Sequence, residues 1–331
     1  MARRPTDRGV RARSPASHPI PMSKLRPLNA LDKLELVLAL AREQHFGRAA
    51  ESCGITQPTL SAGLKALEDA LGILIVRRSS RFQGFTPEGE RVLDWARRIV
   101  GDAEALRQDV EAMKRGLDGH LRLAVIPTAL PMVVRLTTPF RAAHPGVRFT
   151  VLSRTSDGIR QMVENLEVDA GVSYLDNEPL GHVRAVPIYA EGYRLLTAAD
   201  GPFGRRATVT WAEAGSLPLC LLPPDMQNRR IIDATLAEAG ATAEPTLVSD
   251  SILVLISHVR SGRWSSILPP ILADSVGLPP EVVAISVVAP ELTHAVGLVV
   301  PQRDVAAPLV TALLRTAQNL ARELAAETPY F

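Results

Sequence analysis

The sequence predicts an α/β protein that begins with an all-α helix-turn-helix and continues through a long linker helix. Three observations carry this prediction. Apolar residues recur at helical spacing through residues 28–72, and a seven-residue apolar repeat runs through residues 87–116. From residue 120 onward, short strand-like runs alternate with helical patterns, which is typical of open α/β sheets.

The composition is that of a globular protein. Hydrophobic residues make up 46% of the 331 residues, and no uninterrupted apolar run approaches the roughly 18 residues expected of a membrane helix. The two cysteines, Cys53 and Cys220, lack the spacing of a metal motif or a disulfide framework. They are interpreted as small apolar residues in a reducing cytoplasm, and no metal site or cofactor is predicted.

Positive charge is concentrated near the N-terminal end. Residues 1–21 contain five arginines and one aspartate, and residues 22–86 contain nine basic and six acidic side chains, so these parts carry +4 and +3. Because the whole chain carries +2, the remainder carries −5. A basic N-terminal part suits contact with DNA phosphates, although a solvated basic surface would have the same composition.

The first 21 residues are rich in arginine, proline and alanine and lack apolar periodicity, so they are predicted to be a disordered basic tail. They also lack the apolar stretch of a secretory signal, which favours a cytoplasmic protein. Because the ordered pattern begins immediately afterwards, Met22 is a candidate native start. The intact mass of the endogenous protein would test this hypothesis.

The stretch ITQPTLSAGLKALEDALG, residues 55–72, predicts an amphipathic helix. Thr56 suits its N-cap and Gly72 suits its end. Its apolar stripe consists of Leu60, Leu64, Leu67 and Leu71. The opposite face is small, polar or basic, and Gly63 costs about 1 kcal/mol relative to alanine. Close approach by a partner would explain this face, and a solvated helix of weak propensity is the alternative.

Two shorter helical patterns precede this helix. Leucines and valines between residues 31 and 40 predict the first, and Gly47 and Gly54 bound the second. Two helices joined by a short turn, the second one amphipathic, are typical of a helix-turn-helix. The following run LIVRRSSRFQGFTPEGE combines a strand-like segment with three arginines around a Ser-Ser turn, which predicts a basic wing.

These residues carry a family resemblance. The run FGRAAESCGITQPTLSAGLKALEDALG, followed by IVRR and FTPEGE, resembles the winged helix-turn-helix of LysR-type transcriptional regulators over residues 28–90. Val76 stands where phenylalanine is usual, and Ala62 and Gly63 replace longer polar side chains. The resemblance implies a sequence-specific transcriptional regulator that binds operator DNA and RNA polymerase and forms a homodimer or homotetramer.

In that arrangement the helix at residues 55–72 would enter the major groove. Three side chains could hydrogen-bond to base edges, two apolar ones could contact a thymine methyl, and three basic ones could contact phosphates. The predicted DNA-binding residues are, in that order, Gln57, Thr59 and Ser61, Pro58 and Ala62, and Lys65, Arg78 and Arg81.

The segment after Pro87 predicts one long helix that ends near Gly116. Its apolar residues are spaced alternately four and three apart, at Val92, Ala96, Ile99, Ala103, Leu106, Val110 and Met113. This spacing is typical of a coiled coil between two chains. A core helix within one domain is the alternative.

The second half predicts alternating strands and helices. The strand-like runs lie at residues 120–127, 147–153, 168–174, 219–223 and 265–269. The helical patterns lie at residues 130–143 and 157–165, from Gln227, from Ser251 and at residues 306–325. The family resemblance implies two Rossmann-like subdomains resembling a periplasmic binding protein, with chain crossings near Leu195–Ala198 and Gly297–Pro301.

The expected domains follow from these patterns. They are a tail at residues 1–21, a winged helix-turn-helix at 22–86, a dimerising linker helix at 87–116 and an effector-binding domain at 117–331. Within the last, the first subdomain spans about 120–195 and 298–331, and the second spans about 196–297.

A small anionic effector is expected at helix N-termini that follow the strands of such sheets. The candidate residues are Thr128, Ser156, Gln227 and Ser251, for which simple N-capping is the alternative. Arg160 or Arg229 could supply charge. The runs DAGVSYLDNEPLGHV and PPDMQNRR resemble a subgroup of the family associated with formate dehydrogenase operons, which implies formate or another small carboxylate as effector.

Catalysis is not predicted. The sequence lacks GxSxG, P-loop, GxGxxG and HExxH motifs, and acidic pairs such as Glu68 and Asp69 are interpreted as solvated surface. Two alternatives remain open, namely an enzyme that acts on a small organic acid and a solute-binding module without DNA function. A turnover screen on organic acids would identify the enzyme, and the basic helix-turn-helix argues against the solute-binding module.

Overall fold

The computed structural model describes residues 29–77, 81–242 and 244–327. The predicted tail and Met22 therefore lie outside the described residues. The N-terminal helices are α1 (Ala30–Glu43), α2 (Phe46–Ser52), α3 (Gln57–Leu71) and α4 (Pro87–Arg115). These four helices confirm the predicted helix-turn-helix and the linker helix behind it.

Side-chain caps set the starts of the first helices. Asn29 and Asp32 exchange hydrogen bonds with each other's backbone N–H groups, which is a capping box for α1. The Nδ1 atom of His45 accepts from the backbone N–H of Gly47, so α2 begins one residue earlier than predicted. Thr56 caps α3, which ends at Gly72 in the left-handed conformation as predicted.

The inner face of α3 differs in three places from the prediction. Leu71 is 50% exposed, whereas the other three leucines of its stripe are buried. Gly63 is buried on this inner face. Glu68, interpreted from the sequence as solvated, is also buried, and its Oε1 accepts from the backbone N–H groups of Ile75 and Val76. A buried carboxylate here satisfies the donors of the strand that enters the wing.

Among the described residues of the wing, Val76 and Phe85 form an antiparallel bridge. The first turn of α4 then approaches Ile75 so closely that a Cβ on Gly89 would lie 2.0 Å from the Ile75 carbonyl oxygen. Only glycine fits this contact, which explains the glycine in FTPEGE. The linker helix ends at Gly116, as its periodicity predicts.

The C-terminal part consists of strands and helices in alternation. In chain order, the strands are β1 (Gly119–Val125), β2 (Val147–Ser153), β3 (Ala170–Tyr174), β4 (Val183–Glu191), β5 (Arg194–Ala198), β6 (Thr208–Thr210), β7 (Cys220–Leu221), β8 (Leu247–Val248), β9 (Ser266–Leu268), β10 (Val282–Val288) and β11 (His294–Pro301). The helices are α5 (Val133–Ala143), α6 (Ser156–Glu164), α7 (Trp211–Gly215), α8 (Gln227–Glu238), α9 (Ile252–Arg260), α10 (Pro270–Val276) and α11 (Pro308–Glu327).

The strands form two larger sheets, which confirms the predicted pair of α/β units. The first sheet has the order β2-β1-β3-β11-β4, and the second has the order β6-β10-β5-β9, while β7 and β8 form a separate parallel pair. In the first sheet β1, β2 and β3 run parallel, and β11 lies antiparallel to both β3 and β4. The last helix, α11, packs against β4 and α5 of the first unit, as expected.

The chain passes between the two sheets at residues 192–193 and again at residues 289–293. The predicted crossings at Leu195–Ala198 and Gly297–Pro301 are wrong, because these residues lie inside β5 and β11. Both crossings are short connections of two and five residues, and apolar periodicity in the strands on either side gives no sign of them.

Other elements differ from the sequence prediction for local reasons. The helix predicted from Leu130 is preceded by a separate 3₁₀ helix, Pro127–Met132, and α5 begins at Val133. Pro131 lacks an N–H group and so favours the shorter helix at this point. The sequence patterns do not predict strands β4, β5, β6, β8, β10 and β11 or helices α7 and α10. Within the described ranges, the helices are too short or too polar to cross a membrane.

Candidate DNA-contact face and effector cleft

The outer face of α3 carries most of the side chains predicted to contact DNA. The exposed members are Gln57, Pro58, Ser61, Ala62 and Lys65. All five lie in the first nine residues of the helix, so they form one continuous surface at its N-terminal end. Gly63 was expected to let a partner approach this surface, but its position on the inner face makes that explanation wrong.

The remaining predicted contacts are less uniform. Thr59 is half-exposed, and its hydroxyl lies 2.9 Å from that of Thr56, so the two N-terminal threonines share a hydrogen bond. Arg81 is exposed in the wing. Arg78 lies outside the described residues.

The linker helix α4 has an apolar stripe without a partner among the described residues. The stripe comprises Trp95, Ile99, Leu106, Val110 and Met113, and the exposed fractions of Leu106 and Met113 are 65% and 77%. Two N-terminal positions of the predicted seam behave differently, since Ala96 is fully buried and Val92 is half-buried against the helix-turn-helix core. The described fold therefore leaves the predicted seam open to another chain from Ile99 onward, beyond the first three turns of α4.

A small cleft between the two α/β units brings together three of the four predicted effector residues. Thr128 from the 3₁₀ helix, Ser156 from α6 and Gln227 from α8 line it together with Tyr174 and Asn228. The fourth predicted residue, Ser251, is not part of this lining. The expectation that all four helix starts converge on one site is therefore wrong for Ser251.

The candidate side chains are not consumed as helix caps. Thr155 rather than Ser156 caps α6, because its hydroxyl accepts from the Gly158 N–H at 3.0 Å. The Ser156 hydroxyl is buried and has no hydrogen-bond partner among the described residues. Helix α8 begins after Met226 without a side-chain cap from the described chain. The hydroxyl of Ser156 and the first N–H groups of α8 are therefore available to a bound acceptor.

Behind the cleft lies a buried hydrogen-bond network that sequence reasoning missed. The Tyr174 hydroxyl donates to Oε1 of Glu191, and the Tyr189 hydroxyl donates to Oε2 at 3.1 Å. On the cleft side, Nδ2 of Asn228 donates to the Tyr174 oxygen at 3.2 Å, and the Thr128 hydroxyl lies 3.4 Å from it. Tyr174 thus connects the cleft with a carboxylate buried at the end of β4.

Several buried atoms of this network have no hydrogen-bond partner within the part of the chain that the structure describes. They are Oδ1 of Asn228, the hydroxyl of Tyr193 and Nε2 of His294. Burial raises the pKa of Glu191 to about 7, although the hydrogen bonds from Tyr174 and Tyr189 favour its ionised form. Unpaired polar atoms this deep are costly, so those of Ser156 and Asn228, which both line the cleft, indicate a site where something binds.

The two arginines expected to supply charge are already engaged. Arg229 is buried, with its Nε 2.7 Å from Oδ1 of Asp233 and its guanidinium also donating to the Leu222 carbonyl. Arg160 pairs with Asp157 and with Glu164 on the same helix. Both arginines therefore have structural partners, and the expectation that one of them supplies a free charge to the cleft is wrong.

Gln227 joins the two sides of the cleft, because its Nε2 donates to the backbone carbonyl of Asp176 at 3.0 Å. A signal for Tyr174 and Asp176 was present in the run DAGVSYLD, where polar groups follow a buried strand. Glu191 and His294 gave no such signal. They are far apart in the sequence and become neighbours only because β4 and β11 pair in the sheet.

Comparison with known proteins agrees with this arrangement. Residues 31–90 match the family model described as bacterial regulatory helix-turn-helix protein, lysR family. Residues 114–322 match the model described as LysR substrate binding domain. The two models cover the helix-turn-helix and the α/β part that contains the cleft.

Individual relatives are similar over most of the chain. The DNA-binding transcriptional dual regulator OxyR of Escherichia coli K12 is 28% identical over 249 residues, which are 75% of this chain and 80% of that protein. A probable hydrogen peroxide-inducible genes activator of Mycobacterium xenopi is 32% identical over 177 residues, 53% of this chain and 93% of that protein.

Solved structures show the same fold. A full-length OxyR variant from Pseudomonas aeruginosa aligns with a TM-score of 0.67 at 28% identity, over 90% of this chain and 98% of that one. Full-length CbnR in complex with its target DNA aligns with a TM-score of 0.55 at 19% identity, over 88% and 99% of the two chains.

Proposed function

Because this chain belongs to the LysR family of DNA-binding transcriptional regulators, we propose that a small anionic effector in the cleft controls how it reads an operator. The chain is a regulator with a helix-turn-helix and an effector-binding domain rather than an enzyme. The observation that best supports the effector site is the Ser156 hydroxyl, which is buried without a partner in the described chain beside the uncapped start of α8.

The outer face of α3 is our proposed reader of the operator. Gln57 and Ser61 would hydrogen-bond to base edges, and Pro58 and Ala62 would contact thymine methyl groups. Lys65 lies one turn further along the helix, where a phosphate contact is more suitable. The exposure of these side chains at one helix end supports the proposal.

The wing would add phosphate contacts from Arg78 and Arg81. Thr59, whose hydroxyl shares a hydrogen bond with that of Thr56, would add a DNA contact at the N-terminal end of α3. Phosphate contacts position the protein, whereas contacts to base edges select the sequence.

The proposed effector is formate or another small carboxylate. The cleft is small and is lined by hydroxyl and amide groups from Thr128, Ser156, Gln227 and Asn228, together with open helix N–H groups. These donors suit an anion of few atoms. Arginines play no part in this proposal, because Arg229 already has structural partners.

Several relatives are hydrogen peroxide-inducible genes activators, but the cleft of this chain does not favour a thiol response. Its two cysteines are Cys53, half-buried at the end of α2, and Cys220, buried in β7. Neither lines the cleft. Burial also raises the pKa of Cys220 to about 11, which disfavours the reactive thiolate.

We further propose that two chains pair through the stripe on α4 and that two such dimers form a tetramer in the cytoplasm. The exposed stripe supports this pairing, since apolar seams of seven-residue period are stable only when another helix covers them.

Effector binding would favour one closure of the two α/β units, which moves the DNA-binding heads and changes how RNA polymerase is recruited. Such control requires different effector affinities in the two closures.

A thermal-shift screen of formate, acetate and other small carboxylates on the full chain tests the effector class. A ligand at ~100 times its dissociation constant stabilises by about 2.7 kcal/mol, which is readily measured as a rise in Tm. The positive ligand should also change the affinity for an operator selected from random-sequence DNA. If no small carboxylate raises Tm, while DNA binding is normal, the proposed effector class is wrong.

A further inference from the structure

The buried network behind the cleft lies at the hinge between the two α/β units. Glu191 is the last residue of β4, and the chain crosses to the second sheet immediately after it. Its cross-strand partner, His294, is the first residue of β11, where the chain returns. Tyr174 links this hinge to Thr128 and Asn228 in the cleft.

The direction of the hydrogen bonds in this network depends on the charge of Glu191. An ionised carboxylate only accepts, so the single hydroxyl proton of Tyr174 must be donated to it. The Tyr174 oxygen then accepts from Nδ2 of Asn228 and from the Thr128 hydroxyl. Both donors are then engaged with Tyr174, and Oδ1 of Asn228 is left as a buried acceptor without a partner in the described chain.

Protonation of Glu191 reverses the direction of the hydrogen bonds that run through Tyr174. The carboxylic acid O–H donates to the Tyr174 oxygen, while Tyr189 still donates to the other carboxyl oxygen. The Tyr174 hydroxyl then donates to Oδ1 of Asn228 once the amide has turned over, or to the Thr128 hydroxyl oxygen. Either rearrangement releases one donor, the Asn228 amide N–H or the Thr128 O–H, toward the cleft.

We infer that the cleft binds a small carboxylate anion together with one proton, which is taken up from solvent by Glu191. This inference rests on the proposed effector site and adds its linkage to pH. Besides the Ser156 hydroxyl and the N–H groups of α8, an anion in the cleft meets one more donor when Glu191 is protonated than when it is ionised. The raised pKa of Glu191 supports the inference, since protonation near neutral pH costs little.

The other groups that face Glu191 do not supply a fixed counter-charge. From β3 and β4 it meets the hydroxyls of Tyr174 and Tyr189, and at the crossing it faces Tyr193. Asp176, after β3, adds negative charge that further raises the pKa of Glu191. His294 donates or accepts at Asp176 through Nδ1 at 3.0 Å and is the second titratable group to be tested.

The experiment is calorimetric titration of the full chain with sodium formate and sodium acetate at pH 6 and pH 8, each in two buffers of different ionisation enthalpy. We expect uptake of about one proton per anion at pH 8 and almost none at pH 6. With a pKa of about 7, the fraction of protein that carries a protonated Glu191 falls about tenfold between pH 6 and pH 8. The Kd for the anion should therefore be about tenfold weaker at pH 8 than at pH 6.

Two matched variants locate the proton. Glu191→Gln mimics the neutral acid, so we expect the Kd measured at pH 6 to persist at pH 8 without proton uptake. His294→Gln should keep both the proton uptake and the pH dependence. If the dependence instead disappears in His294→Gln and persists in Glu191→Gln, the assignment to Glu191 is wrong.

The outcomes separate this inference from the proposed function. Formate or acetate binding of equal affinity at both pH values, without proton uptake in the unmodified protein, overturns the proton linkage and leaves the effector site standing. Absence of binding at pH 6, where binding should be tightest, overturns both the carboxylate class and the linkage. The proton count in the unmodified protein decides the inference even if a variant fails to fold.

Discussion

The outer face of α3 and the cleft differ in how the chain builds them. The proposed DNA contacts on α3 lie within nine consecutive residues of a single exposed helix. The cleft and its network are assembled from the 3₁₀ helix, α6, β3, β4, α8 and β11, whose contributing residues span positions 128 to 294. A face on one helix can be recognised from helical periodicity, whereas a cleft of this kind requires the sheet topology.

The two regions also differ in what an unpaired polar group means. On α3, water satisfies the side chains of Gln57 and Ser61, so their free hydrogen-bonding capacity carries little information. The unpaired polar atoms of Ser156 and Asn228 are buried, and each unpaired buried group costs about 1–3 kcal/mol. The unpaired atoms of Ser156 and Asn228 are therefore the more informative sign of a ligand site.

The largest effect is expected on the outer face of α3. Ala62→Glu places a bulky negative charge where the proposed face meets DNA, so operator binding should be lost without unfolding. Fluorescence anisotropy with a selected operator, together with circular dichroism, measures both properties. A folded Ala62→Glu variant with normal operator affinity would mean that this face does not meet DNA.

The second expected effect concerns the stripe on α4, which belongs to neither region but is needed to pair the DNA-binding heads. Leu106→Lys places like charges opposite each other in the proposed seam, so we expect monomers in sedimentation analysis. Glu111→Lys, at an exposed position beside the stripe, adds a lysine outside the seam and should leave the dimer intact. An intact dimer in Leu106→Lys would contradict the coiled coil.

The pH dependence of stability sharpens the contrast between an exposed and a buried polar region. The pKa of Glu191 is raised from 4.5 to about 7 in the folded protein. Its protonated form therefore stabilises the fold fully below pH 4.5, and this contribution is lost as the pH rises through 7. Between pH 4.5 and 8, we expect the unmodified protein to lose about 3 kcal/mol relative to Glu191→Gln. Denaturant unfolding of both proteins over the same pH series would show this difference. If the unfolding free energies of the two proteins change equally with pH, the prediction is refuted.

Within α3, two kinds of contact should fail differently. Gln57→Ala should cost roughly 1–3 kcal/mol on the selected operator and little on random DNA. Lys65→Ala should weaken binding to both and lower the salt slope by about 1. Binding titrations at several salt concentrations distinguish these patterns, and equal losses on operator and random DNA for Gln57→Ala would remove it from base readout.

The smallest effect is expected from one hydroxyl in the cleft. Thr128→Val keeps the shape of the side chain and removes one hydrogen-bonding group, so effector affinity should fall about threefold to tenfold. Ser251→Ala is the matched control, since Ser251 lies outside the cleft lining. Isothermal titration with the effector measures both, and a larger loss in Ser251→Ala would mean that the cleft has been placed wrongly.

Much of the fold could be predicted because local spacing carries it. The limits of α3 and α4 follow from Thr56, Gly72 and Gly116, whose capping behaviour depends only on residues adjacent in the chain. The same local reasoning misjudged Gly63 and Glu68, because it cannot tell which face of a short helix the rest of the chain will cover. For Glu68, the cover is the segment that enters the wing, whose Ile75 and Val76 N–H groups it accepts from.

In the α/β part, Thr128 and Ser156 lie together because they follow β1 and β2, which are adjacent parallel strands of one sheet, whereas Gln227 reaches the same cleft from the start of α8 in the second unit. Ser251 precedes α9 and lies outside the cleft lining, and the strand pattern before α9 does not distinguish its start from that of α8, which does reach the cleft. Arg160 and Arg229 do not have the expected role, because each already forms an ion pair with a neighbouring carboxylate. The sequence alone does not show that these side chains pair.

The sequence by itself determined the family, the helix-turn-helix and the linker helix, because their periodicity and caps are properties of consecutive residues. Only the tertiary structure decided that Tyr174, Glu191 and Asn228 share a network, since crossings between the sheets bring together residues far apart in the chain. The physical reason is that local hydrogen bonds join residues at fixed separations in the sequence. Burial, and the pKa of Glu191 that results from it, depends instead on every segment that packs around this side chain.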